Sequence, residues 1–382
     1  MLNLISVSVS SLRYAVANKG KVLNQERGFN VPVDAIRTTA IILVLLLHAA
    51  NDLTVQQLNT FEIFRWCTVD VYQSVGRIGV PLFLMLSGAL LLQPSKVNEP
   101  LSVFFKKRFA RIGLPFIFWG AVFFAWDFLV EGQAFTPSAF INGVLTGPYY
   151  HFWYLYLLLG LYLVTPALRV LMAHASANLI KYLLILWLVG ASILPVTRLF
   201  TTFYLDNNVL VFTSYAGYFL LGAYLLNVKM KRSTILFFLA LGIALTAIGT
   251  YAIAATIGGV TMFFFQEYLS PTLILAAAML FLWLNTTQKS QPQEKLDTAE
   301  TKNNHPKLKK LLSIISQNTL PLFLFHVIIL ETLQRGYLGI TINGNTINSI
   351  VGVPLMTVIV LFLSLAVIVP LKKIPILKDL IG

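Results

Sequence analysis

The chain is punctuated by windows of about 20 predominantly apolar residues, the length an α-helix needs to cross the hydrocarbon core of a bilayer. Ten windows can be read, near residues 33–52, 74–93, 112–131, 150–171, 180–197, 211–228, 233–254, 267–286, 313–332 and 349–371. Lipid offers the backbone no hydrogen-bond partners, so such a chain satisfies its peptide groups within helices; a spanning barrel would instead show short alternating segments. The expected fold is all-α and polytopic, with about ten transmembrane helices. Composition closes off the alternatives. Hydrophobic residues make up 57% of the chain, charged residues only 11%, and the mean hydropathy is +0.77. Soluble domains run at about 45–50% apolar and about 25% charged. A soluble enzyme, a secreted disulfide scaffold and a disordered regulator are therefore excluded. With Cys67 as the single cysteine, so are an intrachain disulfide and a multi-cysteine metal site.

The 28 Lys and Arg exceed the 15 Asp and Glu by 13. In a membrane protein such an excess reports orientation, because basic residues collect in cytoplasmic loops. Nucleic acid is not an expected partner. With ten spans and the N-terminus inside, 24 basic residues fall in inside segments, and only Arg65, Arg77, Arg198 and Arg335 fall outside. Both termini are expected in the cytoplasm of a prokaryotic plasma membrane. Residues 1–32 lack the pattern of a signal peptide and read as a cytoplasmic tail. The transmembrane domain covers 33–371, and 372–382 form a second tail. Within the domain, residues 288–310 read as a flexible cytoplasmic linker, too polar to order itself by burial. Its basic end, Lys307, Lys309 and Lys310, suits anionic lipid.

Ionisable residues inside a span are costly and mark candidate sites. In the first window Arg37 and His48 are eleven residues apart. Eleven helical steps bring the second side chain to within about 20° of the first, roughly 16 Å further along. One helix face thus carries both. Arg37 suits either lipid head groups or a functional role, and His48 either packing or chemistry. In the second window Arg77 is expected at the outer end, Pro81 at a kink, and Ser87-Gly88 at a close helix contact. Lys107, Arg108 and Arg111 precede the third span. Such a cluster serves topology or binds an anionic group through charge-assisted hydrogen bonds. The fourth span opens on His151 and Trp153 among tyrosines, a pattern that fits an interfacial aromatic belt or a sugar-binding face. His326 lies in the ninth, about 20 Å from that window's inner end, with Glu331 following. Three of the five histidines thus fall in the expected outer half of three helices. Imidazole can act as a general base near neutral pH. No two of the three share a local ligand spacing, so no metal is expected.

Six strings occur in order: DAIRTTAIILVLLLH, RIGVPLFLMLSGALLL, KKRFARIGLPFIFW, YYHFWYLYLLLGLYLVTP, YFLLGAYL and TLPLFLFH. On these the chain resembles the membrane-bound acyltransferase-3 family of bacterial integral-membrane O-acyltransferases, over about residues 33–371. Arg37 with His48 matches the family's signature of an Arg and a His with ten residues between them, and Arg108 with Arg111 its Arg-x-x-Arg. Gly79-Val80-Pro81 looks closer to the short branch, which has no appended soluble domain.

The resemblance implies transfer of an acyl group, usually acetyl from acetyl-CoA, to a hydroxyl of an envelope glycan or lipid-linked sugar. Joined to the geometry, it gives a mechanistic expectation. Lys107, Arg108 and Arg111, with Arg37, would hold the phosphates of a cytoplasmic acyl-CoA. His48 would take the proton from the attacking hydroxyl. His151, Trp153, Arg77 and His326 would shape the acceptor pocket. Two other readings remain open from residues alone, a glycan or small-molecule transporter and a structural subunit of an envelope-polymer synthase. A requirement for acyl-CoA separates the first reading from both.

Overall fold

The computed structural model describes residues 32–50, 63–134, 136–199, 214–257, 260–289, 306–339, 341–342 and 348–382. The expected N-terminal tail up to residue 31, and residues 290–305 of the expected linker, lie outside the described residues. The described residues are mostly helical, with no β-strand among them. The helices are α1 (Val33–Ala49), α2 (Ile63–Gly76), α3 (Gly79–Leu91), α4 (Leu101–Arg108), α5 (Leu114–Leu129), α6 (Pro137–Thr146), α7 (Trp153–His174) and α8 (Ala177–Leu188). They continue as α9 (Ala216–Leu225), α10 (Arg232–Thr256), α11 (Pro271–Lys289), α12 (Pro306–Gln317), α13 (Thr319–Gln334), α14 (Ser349–Leu371) and α15 (Pro375–Ile381).

Each of the ten apolar windows falls on helix. Among the described residues, seven helical stretches are long and apolar enough to cross a membrane, or eight if the bent pair α12–α13 counts as one span. The remaining two windows are filled by α1, of 17 residues, and α9, of 10. Side-chain caps mark four of the starts, one of them α11, where Ser270 Oγ accepts from the Leu273 amide at 3.3 Å. Thr136 Oγ1 accepts from the Ala139 amide at 3.1 Å, Ser176 Oγ from Leu179 at 3.2 Å, and Asn348 Oδ1 from Ile350 at 2.9 Å. Each supplies an acceptor to an amide that the first helical turn leaves without a partner.

Two windows hold breaks where a single straight helix was expected. The second extends well before residue 74, and α2 and α3 meet at a turn through Arg77 and Ile78. Arg77 therefore sits at a mid-stretch break and not at an outer end. Pro81 lies in the first turn of α3, where its missing amide hydrogen costs little. The ninth window is bent by 81° between α12 and α13, across Asn318. His326 thus stands seven residues, about 10 Å, from the start of its own helix.

Burial ranks the helices. The stretch Ile63–Leu91 is 72% buried, against 22% for α10, so the first is interior and the second presents most of its surface outward. α1 packs against α2, α3, α12, α13 and α14, which makes it the central strut. Closest packing is between α3 and α9. A Cβ on Gly88 would lie 2.1 Å from the Phe219 carbonyl oxygen, and one on Gly222 would lie 2.0 Å from that of Met85. The backbones touch because neither glycine has a side chain, the usual device of membrane helix pairs. This contact joins two of the six ordered strings.

Candidate active site

Four cations from three segments of the chain converge on one cavity. A cleft of about 310 Å³ is lined by Arg37 of α1, Lys96 of the α3–α4 turn, Arg108 of α4 and Arg111 beyond it, with no Asp or Glu in its wall. The remaining wall is apolar or uncharged polar, including Phe83, Ser87, Tyr154, Tyr162, Gln317, Thr319 and Phe323. Arg108 and Arg111 reach it because the chain makes a π-turn, Phe109–Gly113, between α4 and α5. One extra residue in that turn re-phases the helix, a device frequent at functional sites. The Arg108 Nε is buried without a hydrogen-bond partner. Burial, then the charges of Arg169 and Arg108, push the Lys96 ammonium below the usual lysine range. Asp34 and Glu99 act on Arg37 and Lys96 from behind the wall, but neither lines it, and like charges gathered at one surface are costly. An anion entering the cleft would relieve that cost.

Lys107 stands apart from this set. It is exposed and pairs with Glu99 at 2.7 Å, outside the cavity wall. Glu99 also binds Arg169 at 2.9 Å. The Lys107 ammonium, then the Arg169 guanidinium, hold the Glu99 carboxyl below the usual carboxylate range. Arg169, on α7 and almost fully buried, donates from Nε to the Leu91 carbonyl at 2.8 Å and lies 4.5 Å over the Phe104 ring. Arg108 faces the same ring at 5.7 Å and Tyr162 at 5.8 Å. Arg169 thus ties α7, the α3–α4 turn and α4 together behind the cavity. The sequence reading passed over both it and Lys96. The available signal for Arg169 was an arginine within a long helical span.

The three histidines also converge. The His48 and His326 ring centroids are 5.2 Å apart, and those of His151 and His326 are 6.0 Å apart. His326 Nδ1 donates to the Leu322 carbonyl at 3.0 Å, which fixes the tautomer and leaves its buried Nε2 as an unpartnered acceptor. His151 is buried with neither ring nitrogen in a hydrogen bond to protein. Arg77 is close enough to act on His48 electrostatically. Among the described residues, no group of three or more His, Cys, Asp or Glu side chains could hold a metal ion.

Around the histidines lies an aromatic shell. The Tyr150 ring lies 5.4 Å from that of His48, tilted 50° to it. Trp153 lies 5.2 Å from Tyr268, and the Arg77 guanidinium stands 5.8 Å over the Tyr268 ring on another side. His151 and His326 thus adjoin His48, and Trp153 is joined to Arg77 through the Tyr268 ring. A buried polar cluster missed in the sequence reading continues from Arg77 along α2. It contains Asp70, Gln73 and Ser74, with Gln266 donating to Asp70 at 2.7 Å. At the far end of α13, Arg335 binds Glu131 at 3.2 Å, and Glu131 accepts from Tyr149 at 2.9 Å, anchoring the segment that carries Tyr150 and His151.

The family model described as an acyltransferase domain, acyltransferase family 3, matches residues 30–371. A protein of the Acidianus two-tailed virus named "Putative acetyltransferase ORF330" is 32% identical over 146 residues. The matched part is 36% of this chain and 42% of that protein, so the chain spans less than half the relative's length. No solved structure matches this chain.

Proposed function

Because the chain belongs to the acyltransferase-3 family, we propose that it moves an acyl group, acetyl in the first instance, from acyl-CoA to a hydroxyl of an envelope glycan or lipid-linked sugar. The observation that carries this reading is the cation-lined cavity, joined by one helix to the histidine cluster. Arg37 opens on the first and His48 belongs to the second.

Acyl-CoA is a substrate here, consumed in each turnover. Its phosphates suit Arg37, Lys96, Arg108 and Arg111, which offer charge-assisted donors without a competing acid. Guanidinium is the better partner where bidentate contact to phosphate is needed. The set differs from the sequence expectation at two residues: Lys96 enters and Lys107 leaves. The basic excess in inside segments supports a cytoplasmic face for this cavity.

His48 then acts as general base. Its imidazole takes the proton of the acceptor hydroxyl as the oxygen attacks the thioester carbon. When the carbon–sulfur bond breaks, the imidazolium returns that proton to the departing thiolate. His326, with its tautomer fixed by Leu322, presents Nε2 as an acceptor beside His48. Trp153, Tyr150 and Tyr268 offer flat apolar faces to a sugar ring, and Arg77 offers donors to its hydroxyls.

The test is label transfer from radiolabelled acetyl-CoA to the envelope fraction of the native host, in membranes carrying wild type or H48A. General-base catalysis contributes about 10²–10⁴-fold. H48A is expected to lose that factor in turnover while still binding acetyl-CoA. Retained transfer would remove His48 from the chemistry. Neither binding nor transfer by wild type would remove the acyltransferase assignment of this cavity.

A further inference from the structure

The cavity and the histidine cluster have a neighbour in common, Phe323. None of His48, His151 and His326 lines the cavity. Phe323 separates them: it lines the cavity, is 4% exposed, and its ring centroid lies 5.7 Å from His151 and 6.1 Å from His326. Tyr154 covers Phe323 at 5.2 Å, and Phe83 covers Tyr154 at 6.3 Å. All three rings line the cavity. They come from α13, α7 and α3, so three helices build one aromatic partition.

A donor whose phosphates rest on the cations has its thioester on the cavity side of this partition, whereas the base lies one ring beyond. We propose that Phe323, backed by Tyr154 and Phe83, is the acyl-size determinant of the enzyme, passing acetyl and obstructing longer acyl chains. This rests on the acyl-CoA reading of the cavity. Two physical facts support it. Ring–ring contacts contribute only about 0.5–1.5 kcal/mol each, so a Phe323 rotation wide enough for a small group is inexpensive. Protein interiors are otherwise close-packed, so each added methylene must find room against neighbours that yield little.

The experiment compares full-length wild type, F323A and F323L in membranes, with radiolabelled acetyl-CoA and butyryl-CoA as donors and the native host's envelope fraction as acceptor. The readout is the ratio of kcat/KM for butyryl to that for acetyl. A general loss of packing does not raise this ratio. One methylene is discriminated by about 10–200-fold in an apolar pocket. F323A is therefore expected to raise the ratio by roughly tenfold or more, and F323L by less. An unchanged ratio in variants that still transfer acetyl overturns the proposal. If F323A fails to fold, F323L decides, and an unchanged ratio there counts against it equally. Absence of acetyl transfer and of acetyl-CoA binding in the wild type is a different result, because it refutes the parent reading of the cavity.

Discussion

Replacing Arg111 and Lys107 separately tests the donor cavity, since the two differ by four positions in sequence and by their whole environment in the fold. Arg111 lines the cavity, whereas Lys107 is exposed and engaged with Glu99. A hydrogen bond to a charged group contributes about 1.5–3 kcal/mol. Each 1.4 kcal/mol is a factor of about ten in affinity. Arg111→Ala should therefore weaken acetyl-CoA binding roughly 10- to 150-fold, and Arg111→Lys should restore only part of it, because an ammonium lacks the planar fork. An exposed ion pair such as Lys107–Glu99 contributes only about 0–1 kcal/mol to stability. Lys107→Ala should leave the Kd within about twofold, since no contact in the cavity changes. The assay is equilibrium binding of acetyl-CoA to detergent-solubilised protein, with a melting curve for each variant to exclude unfolding. Equal losses in a folded Lys107→Ala and a folded Arg111→Ala would refute the assignment, because the cavity would then not distinguish bound phosphate from a general basic surface.

Two further expectations concern titration and packing. Lys96 carries its charge only below a pKa already pushed down by burial and by its cationic neighbours; its share of donor affinity is present below that pKa and fades as pH rises through it. Acetyl-CoA affinity measured from about pH 7 to about pH 10 should thus decline earlier than an ordinary lysine, with pKa about 10.4, would allow. K96M should flatten that slope, and a slope unaltered in K96M would assign it elsewhere. At the α3–α9 contact, Gly88→Ala forces a methyl against the Phe219 backbone, which has no flexible end to yield. Overpacking of this kind costs about 1–3 kcal/mol. A lowered melting temperature is expected, while Gly160→Ala, inside α7 with nothing within 4 Å of its added Cβ, should melt no lower than wild type.

The helical bundle was legible because window length and apolarity are summed over about twenty residues, so local errors average out. The breaks were not. The turn at Arg77–Ile78 and the 81° bend at Asn318 each depend on one or two residues within an otherwise apolar run. The pairing of Arg37 with His48 on one face could be read directly, because helical phase is arithmetic. Convergence of Arg37 with Lys96, Arg108 and Arg111 could not, since it depends on how three separate segments pack. Lys107 illustrates the limit. Beside Arg108 in sequence it looks equivalent, yet adjacent helical residues point about 100° apart, and this one turns toward Glu99. The partition rings Phe83, Tyr154 and Phe323 carried no signal in a chain of which 13% is aromatic.

α1 acts as a ruler as well as a strut. Arg37 at one end of it and His48 at the other are held apart by a continuous helix, roughly 16 Å of backbone that no side-chain rotation can shorten. One residue inserted between them would turn the imidazole by about 100° and lift it about 1.5 Å, away from His326 and Tyr150. Only changes of nearly whole turns would keep the face, and two turns already move it by about 11 Å. The spacing is thus quantised. On the proposed roles of Arg37 and His48, the reach demanded of whatever links the anionic group to the reacting carbon cannot drift gradually, and the dimensions of such a substrate would be bound to those of this helix.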